Sequence, residues 1–339
     1  MIALPASVLL ALMLVLQYVT LAKFAVLPPS LSFLSLAEFR RITEKHVVFD
    51  LLDLVLVLLC ALCVGWIIAA EARRRAVTAA LAWLGTSDMR ALLGLLAISL
   101  VAVRYYFGTG VLSWAADAPQ HITYTNIVSQ ALRAGLWPWW TYYLGTGSPF
   151  LQFYGFLFFL LAGGISVALP TTIGLKLCLG VLHALSGSGV YVLLRGARRR
   201  RTAALAGGLA YVLCFWHTQQ VLIMGRLPLA LVYLLLPWAL AGFQLSICQP
   251  QVRWRWVLAG GCALGGVTLT HPGYGLWSCA FCCLYILLHL RRNNVVHHGL
   301  PGLVLLGSGF TISMALLLPM WLDQHATGLA TTFTLAGVP

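Results

Sequence analysis

The chain has 339 residues, of which 61% belong to the apolar set AVILMFWYC and only 9% are charged. A water-soluble domain carries about 25% charged residues, so the composition excludes a soluble globular domain, a disordered chain, a disulfide-stapled secreted module and a nucleic-acid-binding domain. With 21 Lys and Arg against 8 Asp and Glu the formal net charge is +13, a surplus that polytopic membrane proteins keep in cytoplasmic loops facing anionic lipid.

A bilayer-crossing helix needs about 20 mostly apolar residues. In chain order the candidate segments are residues 4–21, 47–70, 91–107, 149–169, 172–194, 203–223, 227–247, 256–270, 274–290 and 300–322. The first lacks the basic start and small-residue cleavage site of a signal peptide, so it is expected to be a retained span. Residues 23–46 follow it with a mixed-charge amphipathic stretch (Glu38, Arg40, Arg41, Glu44, Lys45) expected to lie on the membrane surface.

Basic clusters mark the cytoplasmic side. They are Arg73 to Arg75, Arg195 with Arg198 to Arg201, Arg253 with Arg255, and Arg291 with Arg292. If every apolar segment crossed, the first cluster would face away from the other three, so one segment is expected not to cross. Residues 149–169 are the natural exception: they open at Pro149, hold Phe150, Phe153, Tyr154, Phe156, Phe158 and Phe159, contain Gly163-Gly164 and end at Pro170. Aromatics concentrate at headgroup level, and broken backbone at membrane depth needs protein or a wet cavity around it.

The expected fold is therefore all-α: a polytopic integral membrane protein with about nine transmembrane helices plus one interfacial or re-entrant helix. The N-terminus is inside, and the large loop 108–171 and a tail at 323–339 are on the outer face. Residues 1–90 form two N-terminal helices with an outer amphipathic loop, and 91–322 form the main module.

The nine cysteines lie inside or at the ends of apolar segments. Cys60 with Cys63, and Cys279 with Cys282 and Cys283, have spacings like those of metal sites. With no clustered His or acid beside them, they read as packing residues. Asp50 and Asp53 sit near the outer end of the second segment, where interfacial solvation competes with a functional role. Arg104 is placed to snorkel or to pair with one of them. His183 and His217 are expected to hydrogen-bond a neighbouring helix.

Most of the polar chemistry falls in residues 108–171. There Asp117, the only acid between Asp88 and Asp323, precedes Pro119 and a helical stretch, with His121 four residues on. Asp117 could cap that helix through backbone N–H groups. An Asp-His pair one turn apart can also act as base and orienter, orient a donor phosphate, or hold a divalent metal.

The order of motifs carries more information. Asp117-x-x-x-His121, a helix, Leu132-x-x-Gly135-x-x-Pro138-x-Trp140, Gly145-x-Gly147-x-Pro149, an aromatic segment and Tyr191-x-x-x-Arg195 are followed by Gly225-Arg226, Leu235-Leu236-Pro237 and Leu269-Thr270-His271. Over roughly residues 91–322 this resembles the GT-C superfamily of polytopic glycosyltransferases. It is most similar to the bacterial membrane family named for 6-pyruvoyl-tetrahydropterin synthase.

The resemblance implies a GT-C-like seven-helix module in the bacterial cytoplasmic membrane, moving a sugar from a polyprenyl-phosphate-linked donor at the outer leaflet. It implies Asp117 as catalytic base or metal ligand, with Mg or Mn as the divalent ion and His121 beside it. Arg133, Arg226 and His271 would bind the donor's phosphate. The structural alternatives are an interfacial, snorkelling Arg133, and Arg226 and His271 as helix-end residues satisfying carbonyls. Asp323 could serve as a substitute acid or stand as an exposed helix end. Many relatives carry a second acid after a glycine equivalent to Gly225, whereas here the segment reads Gly225-Arg226-Leu227-Pro228-Leu229. That departure keeps a second reading open: a non-catalytic GT-C-like scaffold subunit whose partners are membrane lipids and other membrane subunits.

Overall fold

The protein is seen in a computed structural model that describes residues 71–107, 117–138, 140–141, 148–151, 154–248 and 250–327. The first two expected spans, Asp50, Asp53, Cys60, Cys63, the motif Gly145-x-Gly147 and the side chains of Arg104 and Asp323 lie outside the described residues.

The described chain is all-α. It forms eleven α-helices: α1 (Glu71–Leu84), α2 (Asp88–Ala102), α3 (Ala118–Arg133), α4 (Leu157–Ala168), α5 (Thr171–Gly196), α6 (Arg201–Val212), α7 (Phe215–Thr218), α8 (Leu229–Ile247), α9 (Trp254–Thr270), α10 (Pro272–His289) and α11 (Leu300–Thr327). A two-residue antiparallel pair joins Trp140–Thr141 to Ser148–Pro149. Four helical stretches are long and apolar enough to cross a bilayer: α5, α8, α10, and α11 with the turn before it. Leu276, Trp277, Leu288, Leu303 and Phe310 of the last two point outward, where lipid rather than water is the compatible neighbour.

Local sequence sets the helix ends. Ser87 caps α2, its hydroxyl accepting from the Arg90 N–H at 3.2 Å, and Asp88 in the first turn complements the dipole. The aromatic segment is only partly helical. Only α4, 12 residues, is helical there, about 18 Å long against a hydrocarbon core of about 30 Å. It packs between α3 and α5.

Residues 203–223 depart from expectation. Rather than one continuous helix they form α6, the short α7 and a π-turn at Gln219–Ile223. At the break a competing donor is in place: His183 Nε2 donates to the Val212 carbonyl at 2.8 Å, the group a continuous helix would give to the N–H of Trp216.

Two ends of the bundle are chemically distinct. At one end Arg195 and Arg201 grip Asp88 at 2.6 and 3.2 Å, and the Tyr191 hydroxyl donates to the same carboxylate at 2.8 Å. At this end too, Arg198 donates to the Cys248 carbonyl at 3.1 Å and His297 to that of Pro250 at 3.0 Å. Lengthwise passes alternate from here: α2 outward, α5 back, α6 with α7 outward, α8 back, α9 outward, α10 back and α11 outward. The arginine clusters described after residue 190 thus share one end with Asp88, and the polar residues of α3 and the α9–α10 turn share the other.

Burial alone would raise the Asp88 pKa, but the Arg195 and Tyr191 hydrogen bonds and the Arg195 charge outweigh it and hold the carboxyl below 3.8. A depressed carboxyl stabilises the fold above its unfolded pKa and loses that contribution as pH falls through its folded pKa. Asp88→Asn is therefore expected to destabilise by about 1 kcal/mol or less, because the pair is partly solvated. Thermal unfolding in detergent should show this gap at pH 7 and a narrowing gap below about pH 4. A gap that persists at pH 3 points to packing instead.

Candidate functional site

The site is built where four chain segments meet at the end opposite the arginine clusters. The first is the start of α3. Asp117 occupies the N-cap position and Pro119 the first turn, yet Asp117 makes no side-chain cap bond. Its backbone is helical, φ −84° and ψ −6°, rather than the extended form that swings a cap side chain over the first N–H groups. The carboxylate is left exposed, one turn before His121.

His121 is 3% exposed. Its Nδ1 lies 2.9 Å from the Gly225 carbonyl and its Nε2 3.3 Å from the Tyr154 hydroxyl. A carbonyl only accepts, so Nδ1 carries the proton and Nε2 accepts from Tyr154. Burial lowers the His121 pKa from 6.5; the Gly225 bond and the Asp117 charge oppose this in part, while His271 adds to it.

The second segment is the turn before α8. Gly225 has φ +65°, a conformation glycine adopts without cost, and this aims its carbonyl at His121. The next residue, Arg226, is held by Gln220 twice, through the backbone at 3.1 Å and from Nη1 to Oε1 at 2.8 Å.

Tyr154 and Gly155 form the third segment. A Cβ on Gly155 would overlap the Thr270 carbonyl and the His271 nitrogen, so only bare backbone brings Tyr154 this close to the α9–α10 turn. The Tyr154 ring lies edge-on to His271, centroids 5.5 Å apart. Its phenol is pushed up to about 12 by burial and then by the negative charge of Asp117.

The fourth is that turn itself. His271 caps α10, Nδ1 accepting from the Tyr274 N–H at 3.3 Å, which leaves Nε2 to carry the proton of the neutral ring. Burial lowers its pKa, and the positive charge of Arg226 lowers it further.

Asp117, His121, Arg226 and His271 are thus gathered at one end. Arg133 is not with them. It sits at the far end of α3, about 18 Å along the helix axis, and donates to the carbonyls of Ser166, Val167 and Leu169. There it caps α4, a cation on the last free carbonyls of a helix. Tyr154, Gln220 and Tyr274 belong to the site without having stood out in the sequence. The signals were a hydroxyl within a run of phenylalanines and a polar run, His217 to Gln220, inside an otherwise apolar segment.

Elsewhere, His183 is hydrogen-bonded as expected, to Val212 and, at 3.4 Å, to the Tyr106 hydroxyl. His217 stacks on it at 3.9 Å, and neither of its ring nitrogens makes a well-formed hydrogen bond. Among the described residues no three His, Cys, Asp or Glu side chains gather to hold a metal. Among the described residues Asp117 is the one carboxylate at this end, and an Mg or Mn ion there, which takes six oxygen ligands, would draw the others from water or a substrate's phosphate. Comparison with known families, curated proteins and solved structures finds no match to this chain.

A histidine whose folded pKa is lowered binds its proton more readily when unfolded, so stability falls as pH drops below about 6.5. His121→Gln should remove part of that slope, which for one proton is at most about 1.4 kcal/mol per pH unit. Thermal unfolding of parent and variant between pH 7.5 and 5 measures it. Equal slopes would mean that His121 is not held neutral by the site.

Proposed function

We propose that the protein is a GT-C-like glycosyltransferase of the bacterial cytoplasmic membrane, moving a sugar from a polyprenyl-phosphate-linked donor onto an acceptor hydroxyl at the outer leaflet. The observation that carries this reading is the Asp117 carboxylate, released from helix capping and set one turn from His121 at the end where Arg226 and His271 also lie. In this reading the membrane holds about nine spans with α4 lying at the outer face, and the seven passes from α2 to α11 form the module.

The step is an inverting displacement. Asp117 accepts the proton of the acceptor hydroxyl as its oxygen bonds to the anomeric carbon. The bond from that carbon to the phosphate oxygen breaks, and polyprenyl phosphate leaves with the electron pair. The Arg226 guanidinium and the Nε2–H of His271 face the developing phosphate charge. His121 acts as a positioning residue: both its nitrogens are engaged, and it fixes the turn from which Arg226 projects. Arg133 has no part in this mechanism.

A non-catalytic GT-C-like scaffold subunit is the second reading. The absence of an acid between Gly225 and Leu229 favours it.

Purified protein in nanodiscs, given a panel of polyprenyl-phosphate-linked sugars, should transfer sugar from one of them. Asp117→Asn should lose at least about 100-fold in rate, the usual contribution of a general base, and Arg226→Gln should lose a similar factor. Equal turnover in Asp117→Asn removes this residue from the mechanism. Transfer from no donor in the panel supports the scaffold reading.

A further inference from the structure

At the arginine-bearing end, the loop before α9 and the connection from α10 to α11 enclose an open cavity of about 420 Å³. Trp254, Arg292 and Asn293 contribute its polar side, and Val295, Val296 and Leu300 its apolar side. His297, also in its wall, is tied to the Pro250 carbonyl, and Asn294 bonds to the His289 carbonyl and His298. Both fix the frame of the cavity. Arg292 and Asn293, in contrast, make no side-chain hydrogen bond or ion pair with any described residue.

Charge and shape then select the occupant. Asp117 is the last acid before Asp323, so no carboxylate in the intervening chain offsets Arg253, Arg255, Arg291 or Arg292. Below the cavity an outward apolar stripe continues down α11 at helical spacing: Leu300, Leu303 at 68% exposed, Gly307 with open space over it, and Phe310 at 62%. From Leu300 to Phe310 the stripe rises about 15 Å, half the thickness of a hydrocarbon core of about 30 Å. Val296, 77% exposed, stands where the stripe meets the cavity.

We infer that this cavity binds one anionic phospholipid. Its phosphodiester accepts from the Arg292 guanidinium, the Asn293 amide and the Trp254 indole N–H, and one acyl chain lies along Leu300, Leu303 and Phe310. A guanidinium fork matches two phosphate oxygens, and an indole ring suits the boundary between headgroup and chain. The inference depends on the membrane reading of α10 and α11 and is independent of any transferase activity.

Native mass spectrometry of the detergent-purified, delipidated full chain, titrated with phosphatidylglycerol or phosphatidylcholine, tests it. The expected result is one tightly retained phosphatidylglycerol, at least tenfold preferred over phosphatidylcholine. Arg292→Gln should lose that lipid, while Arg199→Gln, an equal change of charge at the same end, should keep it. Leu303→Ser should weaken it without altering the thermal unfolding midpoint. Equal losses in Arg292→Gln and Arg199→Gln would overturn the site in favour of diffuse attraction. Displacement by soluble glycerol 3-phosphate alone would overturn the lipid assignment in favour of a free-phosphate site.

Discussion

The bundle depends on helices meeting through bare backbone. In lipid there is no hydrophobic gain in pushing one apolar helix against another, so association rests on close van der Waals contact and on hydrogen bonds between helices. A Cβ on Gly242 of α8 would sit 2.6 Å from the Gly260 Cα of α9, and one on Gly187 of α5 would sit 2.5 Å from the Gly208 carbonyl of α6. These contacts fix the separations of α5, α6, α8 and α9 and hence of the loops at their ends. Gly155 repeats the device outside the spans, where it brings Tyr154 onto the Thr270–His271 peptide. The polar site is therefore a consequence of helix spacing rather than of polar attraction.

Within that frame one carbonyl links the two halves of the site. Gly225 presents it because its φ is positive, and His121 takes it at 2.9 Å. The turn carrying Arg226 is thereby tied to α3, the helix that begins at Asp117. A histidine used in this way is consumed as a base or metal ligand, since its second nitrogen is held by Tyr154. The Asp and His read from the sequence as a pair are thus placed differently: the Asp117 carboxylate is exposed and uncapped, while both His121 nitrogens are engaged.

Much of the architecture was legible because apolar run length and arginine position are strong, local signals. The expectation that residues 149–169 do not cross was argued from the Arg73 to Arg75 cluster set against Arg195, Arg253 and Arg291, and the helix in that segment, α4, is 12 residues long. The break after Val212 was not legible. Nothing in residues 203–223 carries a breaker at that point, and the Val212 carbonyl left there is met by His183, a residue 29 positions earlier. Arg133 shows the same limit. Its position at the end of an amphipathic helix did not reveal that the carbonyls of α4 would lie within reach, because that depends on how α3 packs against α4. Tyr154 was hidden by its neighbours, one hydroxyl in a run of rings whose composition signals an interface and nothing finer.

The treatment of Asp117 bears on whether the site does chemistry. An Asp that caps a helix contributes about 1 kcal/mol, and α3 forgoes it. The loss is offset by Pro119, which presets the first turn, and by the His121 bond to Gly225, which anchors that turn to the bundle. Asp117 is the only acid between Asp88 and Asp323, and it heads α3 in a helical conformation without a side-chain cap bond. The general-base role proposed above needs a carboxylate free of cap bonds, because one already accepting two or three backbone N–H bonds is a poor proton acceptor. The negative charge of the same residue reaches both His121 and Tyr154.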